Sequence, residues 1–224
     1  MVYMPIPKSV NKDFFKKWSL EMAYVLGFFL ADGNMVVSKR NGRFISFYSA
    51  DKDILIAIKK SLGSDHKLSK RTRDNSFRFQ IGNKEMFNDL CELGVTPNKS
   101  KRMKIPKVPR KFIGDFVRGY FDGDGNVWSG YVNKSRTKPT RTIQVAFTSG
   151  CLEFLIEFLA ILKSMGLEGG SIFKIKNIEC HRLLFSTLDS LKLYKIMYNM
   201  PHRTHLKRKR LVFERFGKKI KMRA

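Results

Sequence analysis

Two similar stretches decide the fold: YVLGFFLADGN at residues 24–34 and FVRGYFDGDGN at residues 116–126. Each has a glycine at its fourth position with aromatic residues on both sides of it, and each ends in Asp-Gly-Asn. The identical pairs, all at one separation, are Gly27 and Gly119, Asp32 and Asp124, Gly33 and Gly125, and Asn34 and Asn126. An internal match of this kind is typical of a duplicated structural unit, so the chain is predicted to contain two copies of one unit.

The similarity continues downstream with a slowly growing offset, as loop insertions in one copy would produce. Apolar helices are predicted at 53–62 and 152–165, and Gly63 and Gly166 are expected to end them. Each copy is then predicted to run helix, hairpin, helix, hairpin, helix. The fold class is therefore α+β, with two pseudo-symmetric αββαββα repeats.

The strand patterns indicate two antiparallel sheets. Ile143, Val145 and Phe147 alternate with less apolar neighbours, which is typical of a strand with one buried face. Asn41-Gly42 predicts a two-residue turn in the first hairpin. Each sheet is expected to carry helices on one face and to leave a polar, basic face open.

The predicted boundaries divide the chain into four segments. The first repeat is expected at 12–96, a basic proline-containing linker at 97–111, the second repeat at 112–200 and a basic tail at 201–224. Residues 203–224 hold ten Lys and Arg but one acid, Glu214. A short helix packed on the second repeat is predicted in this tail from its apolar residues Leu206, Leu211, Val212 and Phe216.

The strong positive charge of the chain limits the kinds of molecule that it is expected to bind. The 224 residues include 44 Lys and Arg against 19 Asp and Glu, a net charge of +25, while 43% hydrophobic and 12% aromatic residues exclude a disordered basic tail. A polyanion is expected to offset the self-repulsion of this charge, and nucleic acid is the leading candidate. A membrane surface, or a generally sticky basic protein, remains an alternative at this point.

The compartment is predicted to be intracellular, either an organelle matrix or a prokaryotic cytoplasm. The N-terminus has no secretion signal, and the longest apolar run, 22–31, is too short for a membrane helix. Cys91, Cys151 and Cys180 are too widely spaced for a disulfide framework or a CxxC metal site.

The two apolar stretches are predicted to pack on each other as helices, because small residues line one face of each. Gly33 and Gly125 are expected to act as the residues just past the helix ends. If the helices are parallel, Asp32 and Asp124 meet where two negative dipole ends also converge. A cation would relieve this arrangement, and oxygen ligands suit Mg²⁺.

Residues 25–33 (VLGFFLADG) and 117–125 (VRGYFDGDG) resemble the two signature helices of the LAGLIDADG homing endonucleases, in their single-chain, two-repeat form. Leu30 departs from the pattern by replacing an acid, whereas Asp122 keeps that acid in the second stretch. That position is not a metal ligand in the family, so Asp122 is expected to be structural.

The resemblance implies a site-specific endonuclease that cuts both strands of double-stranded DNA at a long non-palindromic site, leaving short 3′ overhangs. The two sheets would form a saddle over the DNA. Asp32 and Asp124 would bind divalent metal together with the backbone carbonyls of Ala31 and Gly123. Mg²⁺ is the expected cofactor, with Mn²⁺ as a substitute and Ca²⁺ supporting binding without cleavage. Two repeats in one chain predict a monomer.

Members of the family commonly place a lysine near each scissile phosphate. Lys70 and Lys174 follow their helices at matching places and are the candidates. Lys67 and Lys176 lie within a strand step of them, and an ordinary phosphate contact or a solvated surface is an equally good interpretation. Gln144 or Ser149 could also join the pocket.

Polar-face strand residues and hairpin tips are the candidates for contact with DNA, since Arg and Gln can pair with guanine and adenine edges. In the first copy these are Lys39, Arg40, Arg43, Ser46, Arg71, Arg73, Arg78 and Gln80, and in the second copy they are Lys134, Arg136, Lys138, Arg141, Gln144 and Lys176.

The alternative function is an intron RNA maturase or a non-cleaving DNA-binding protein on the same scaffold. Relatives that took such roles often lose one or both acids, so the presence of both Asp32 and Asp124 favours the nuclease. An initial Met and the lack of protein-splicing blocks are interpreted as a free-standing, intron-encoded protein.

Overall fold

The chain is organised as two halves with the same order of elements, in a computed structural model that describes residues 8–97, 102–135, 137–200 and 203–221. The first half contains α1 (Leu20–Asp32), β1 (Gly33–Val37), β2 (Arg43–Ser49), α2 (Lys52–Ser61), β3 (Ser69–Lys70), β4 (Phe77–Gly82) and α3 (Lys84–Glu92). The second half contains α4 (Ile113–Asp124), β5 (Gly125–Val132), β6 (Thr140–Ser149), α5 (Leu152–Ser164), β7 (Ser171–Lys174), β8 (His181–Phe185) and α6 (Thr187–Tyr198). A short 3-10 helix, Arg110–Phe112, precedes α4, and α7 (Lys207–Lys221) follows α6. The predicted duplicated α+β fold is confirmed.

Each half builds one four-stranded antiparallel sheet. The strand orders are β1-β2-β4-β3 and β5-β6-β8-β7, and the pairings Gly33 with Phe47 and Gly125 with Phe147 occupy equivalent registers. The short strands β3 and β7 therefore form the edges that lie farthest from β1 and β5.

One face of each sheet packs against helices and forms the core. In the first sheet Phe47 and Phe79 are fully buried and stack with ring centroids 4.9 Å apart. In the second sheet, the ring centroid of Phe147 lies 5.0 Å from that of Phe158 in α5. Alternate residues of the same strands point to the opposite face.

The first hairpin differs from its prediction in length. The strands end at Val37 and resume at Arg43, so the connection has five residues rather than two. Asn41 takes a left-handed conformation, with φ of 58°, and the Ser38 N–H donates to the Gly42 carbonyl at 2.8 Å. The position of the turn was correct, but the side chain of Ser38, which accepts from the Gly42 N–H, supports a wider loop.

Helices α1 and α4 are in backbone contact. A Cβ added at Gly27 would lie 2.1 Å from the Phe116 carbonyl oxygen, and one at Gly119 would lie 2.0 Å from the Tyr24 carbonyl oxygen. Towards the helix ends, Gly123 faces Ala31. Residue numbers increase together along both helices, so the predicted parallel packing through small residues is confirmed.

Gly33 and Gly125 directly follow the last helical residues, as predicted, but their backbone geometry differs from that of a usual glycine cap. Gly33 and Gly125 have φ of −96° and −81°, so neither adopts the left-handed conformation of a glycine cap. Each continues directly into a strand. Glycine is needed there for space, because a Cβ at Gly33 would lie 2.2 Å from the Phe29 ring.

The C-terminal segment forms a longer helix than predicted, and it reaches both halves. Arg208 donates to the carboxylate of Asp51 in the first half at 2.8–3.2 Å. Phe213, which the prediction omitted, is buried against Phe121, whereas Leu211 is 41% exposed. The segment therefore joins the halves instead of packing on the second alone.

No helix among the described residues combines the length and hydrophobicity needed to cross a membrane. The predicted domain boundaries stay predictions, although the first repeat ends close to α3 and the second begins close to α4.

Candidate metal and DNA-binding site

The matching acids of the two repeats, Asp32 and Asp124, lie at the paired ends of α1 and α4. A Cβ at Gly123 would lie 3.4 Å from Oδ2 of Asp32, so this carboxylate lies against the last turn of α4, next to Asp124. Burial raises the pKa of Tyr120 well above its usual range, and the charges of Asp124 and Asp32 both add to that effect. The carboxylates therefore share one electrostatic neighbourhood.

A lysine that the sequence analysis did not select completes this neighbourhood. Nζ of Lys209 donates to the carbonyls of Phe121 (2.6 Å), Asp122 (2.9 Å), Gly123 (3.3 Å) and Gly125 (2.6 Å). Burial lowers the pKa of Lys209 to about 8, although the nearby carboxylates of Asp122, Asp32 and Asp124 act in the opposite direction. The ammonium therefore keeps its charge at neutral pH.

The donors at the helix ends suit a hard divalent cation. Among the described residues there is no group of three or more His, Cys, Asp and Glu that could hold a metal. A metal at this position would therefore rely on the two carboxylates, on backbone carbonyls such as those of Ala31 and Gly123, and on oxygens from outside the chain. All of these are oxygen ligands, which Mg²⁺ and Ca²⁺ prefer. The Gly123 carbonyl has a second lone pair besides the one facing Lys209.

Asp122 points away from this site into the protein. Its Oδ2 accepts from the Tyr24 hydroxyl at 2.8 Å and from the Leu206 N–H at 2.9 Å. Burial raises the pKa of Asp122 to about 6, despite the opposing effect of these hydrogen bonds. It joins α1, α4 and the segment before α7, which supports the structural role predicted for it.

The two lysines predicted to assist cleavage lie elsewhere. Lys70 and Lys174 are on the edge strands β3 and β7, three strand spacings, or roughly 14 Å, from β1 and β5. Lys70 pairs with Phe77, so it points to the helix-bearing face, and Lys174 donates to Glu179 at 2.8 Å. The prediction placed each near a scissile phosphate because the two lysines follow their helices at matching positions, but sequence position does not reveal strand order.

The sheets do place several predicted DNA contacts on the open faces. Arg78 and Gln80 alternate with the buried Phe79 and Ile81, and Gln144 alternates with Ile143 and Val145. The Arg71 guanidinium lies 5.1 Å from the ring of Tyr48, which pairs with Arg78 on that face. The predicted hairpin residues are exposed: Lys39, Arg40, Arg73, Lys134, Lys138 and Lys176.

Two predicted contacts face the helices instead of the open faces, one is on the open face but buried, and one lies outside the described residues. Arg43 hydrogen-bonds to Asn88 and lies over Phe87 of α3, so it faces the helices. Arg141 lies 4.6 Å from the ring of Phe216 in α7. Arg43 and Arg141 lie on the same side of their strands as the buried residues Ile45 and Ile143. The prediction placed them on the open face because they are charged. Ser46 is on the open face but is 1% exposed. Arg136 lies outside the described residues.

Arg182 was missed although the repeat contains a signal for it. It pairs with Thr148 as Arg78 pairs with Tyr48, and it precedes the buried Leu183 as Arg78 precedes Phe79. Its Nε is buried without a hydrogen-bond partner among the described residues. Aligning the second hairpins of the two repeats would have selected it.

The first half of the chain matches a known family of protein domains. Residues 19–93 match the family model of the LAGLIDADG-like domain, and they run from the N-cap of α1 to the end of α3. The first half of the chain therefore contains a LAGLIDADG-like domain. The second half repeats the matched elements in the same order.

Solved LAGLIDADG structures share the fold of both halves. The I-LtrWI LAGLIDADG homing endonuclease bound to target DNA aligns with a TM-score of 0.64 and 15% identity, over 95% of this chain and 91% of that chain. I-SmaMI bound to uncleaved DNA in the presence of calcium ions aligns with a TM-score of 0.58 and 11% identity, over 84% and 86%. The two-repeat architecture therefore extends along nearly the whole chain.

Sequence relatives occur in archaea. An uncharacterized protein of Methanocaldococcus jannaschii is 27% identical over 204 residues, which is 86% of this chain and 69% of that protein. Probable translation initiation factors IF-2 of the same organism and of Thermococcus kodakarensis are 28% and 25% identical, but the chain spans only 13% and 15% of their lengths. Related sequence thus occurs within much longer proteins, and the free-standing, intron-encoded interpretation stays a prediction.

Proposed function

We propose that this protein, whose residues 19–93 match the LAGLIDADG-like domain, is a divalent-metal-dependent endonuclease that cuts both strands of double-stranded DNA at a long non-palindromic site. The observation that carries the proposal is the meeting of Asp32 and the last turn of α4 beside Asp124, between two sheets with open polar faces. The I-LtrWI and I-SmaMI complexes with DNA support the choice of partner. Cleavage leaves short 3′ overhangs, and the protein acts as a monomer because both repeats are in one chain.

The residues at the helix ends hold the metal and orient the reaction. Asp32, Asp124 and the carbonyls of Ala31 and Gly123 would hold Mg²⁺, for which Mn²⁺ would substitute, and the bound ion would supply water activation and stabilisation of the leaving oxygen. The two carboxylates fix the position of the attacked phosphate relative to the helix ends. Because Lys70 and Lys174 lie at the sheet edges, their role is phosphate contact and no proton transfer is assigned to them.

Recognition is assigned to the open faces. Arg78 and Arg182 occupy equivalent registers, while Gln80 and Leu184, the next outward positions, differ between the repeats. Equivalent arginines suit contacts that both half-sites share, and differing neighbours suit a site without palindromic symmetry.

The proposal is tested by selecting cleaved sequences from a randomised DNA library in Mg²⁺, with Ca²⁺ as the binding-only condition. We expect one long family of related sites among the cleaved molecules and the same family among those bound in Ca²⁺. Enrichment by binding without any cleaved product would instead identify a non-cleaving DNA-binding protein. Absence of enrichment in both conditions would contradict DNA as the partner.

Arg78→Ala and Arg182→Ala are expected to weaken binding to the selected site by about 1–3 kcal/mol each, since each removes a candidate bidentate contact with a base. Fluorescence anisotropy titrations in Ca²⁺ measure this. Lys60→Ala is the control, because it removes one exposed positive charge from α2 on the helix-bearing side. Equal losses in all three variants would show that only overall charge matters.

A further inference from the structure

The joined ends of α1 and α4 present an electrostatic problem that exists before any metal binds. Two parallel helices end together, so the negative ends of their dipoles converge, and Asp32 and Asp124 add two carboxylates. Without a positive charge at this point, the close approach of Ala31 to Gly123 would be opposed by repulsion.

Lys209 brings such a charge from a distant part of the chain. Lys209 is only 6% exposed, and its ammonium donates to four carbonyls at the end of α4. An ammonium has three N–H groups, so four acceptors at 2.6–3.3 Å surround it as ligands surround a small cation.

The segment that carries Lys209 is held in place on both sides. Arg208 pairs with Asp51 of the first half at 2.8 Å, and the Leu206 N–H donates to Asp122. Arg203 pairs with the buried Asp115 at 2.7 Å. These contacts fix the start of α7, so the ammonium of Lys209 is directed at the helix end.

We infer that Lys209 is the built-in counter-ion of the candidate metal site, and that it keeps the two helix ends and their carboxylates together when no divalent cation is bound. The inference rests on the proposed metal site at Asp32 and Asp124. It makes Lys209 a positioning residue and makes α7 part of the site, although the sequence suggests only a basic tail.

The test compares thermal unfolding of the full chain in EDTA and in Ca²⁺. In EDTA, Lys209→Met is expected to unfold roughly 5–10 °C below the wild-type protein, because four buried carbonyls and two carboxylates lose their cation. Ca²⁺ alone is expected to raise the midpoint of Lys209→Met by roughly 3–5 °C more than that of the wild type, since the free cation replaces the lost charge.

Lys207→Met is the matched control, because it removes an exposed lysine from the same turn of α7. It should unfold like the wild type and show the wild-type response to Ca²⁺. If Lys209→Met is destabilised but responds to Ca²⁺ no more than Lys207→Met does, Lys209 is only a packing residue and the inference is overturned.

If Lys209→Met is already unfolded in EDTA, its unfolding midpoint cannot be compared with that of the wild type. A double-mutant cycle with Asp32→Asn then provides the test. Adding Asp32→Asn removes one of the repelling charges, so it should recover stability in the Lys209→Met background but not in the wild type. Failure of both Ca²⁺ and Asp32→Asn to restore the fold would overturn the inference. Plasmid cleavage by the wild type is measured separately, so loss of the proposed function and loss of this inference give different results.

Discussion

Asp32→Asn and Asp124→Asn are each expected to lower the rate of double-strand cleavage by at least roughly 10³-fold, or about 4 kcal/mol, without a comparable loss of DNA affinity. Asparagine keeps the size of the side chain but removes an anionic oxygen ligand. The site offers few ligands of this kind, because the described residues contain no larger acidic, His or Cys cluster. Loss of one carboxylate therefore cannot be compensated by a neighbouring side chain.

A supercoiled plasmid carrying the selected site separates the possible outcomes, since nicked circles report one cut strand and linear molecules report two. We expect both variants to lose the linear product in Mg²⁺ while binding the site in Ca²⁺ with near wild-type affinity. Asp53→Asn is the control, because Asp53 is an exposed acid in the first turn of α2. Persistent linear product from Asp32→Asn/Asp124→Asn would refute the assignment of these carboxylates.

The order of elements and the meeting of the acids could be predicted from sequence because they depend on local patterns. The small residues Gly27 and Gly119 permit a close helix pair, and the repetition of the stretches that contain them defines the two halves. Alternation along β4 likewise placed Arg78 and Gln80 on the open face. In these cases the residues that determine the structure are close together in the sequence.

The side chains that were misplaced depend on tertiary structure. Arg43 and Arg141 have the parity of core residues, but only the positions of α3 and α7 explain how a guanidinium is accommodated there. Lys70 looked equivalent to a catalytic lysine until the strand order put β3 at the edge. Lys209 is one of ten basic residues in its segment, and no local pattern distinguishes it. Its role follows from where α7 docks.

Gly119→Ala is expected to have the largest effect on stability, with a loss of about 3 kcal/mol or more. The added Cβ would lie 2.0 Å from the Tyr24 carbonyl oxygen and 2.9 Å from the Phe28 nitrogen. Both are backbone atoms of α1, so no side-chain rotation can relieve the overlap and the helices must separate. Gly27→Ala meets the Phe116 carbonyl oxygen at 2.1 Å and is expected to behave in the same way.

Gly217→Ala provides the control, because it lies in α7 and its added Cβ would meet nothing within 4 Å. Alanine is the better helix former, so this variant should match the wild type or gain about 0.5–1 kcal/mol. Urea unfolding followed by circular dichroism measures all three variants. Since domains are stable by only about 5–15 kcal/mol, Gly27→Ala/Gly119→Ala should fail to fold. A Gly119→Ala protein as stable as Gly217→Ala would contradict the close helix contact, and with it the geometry that brings Asp32 to Asp124.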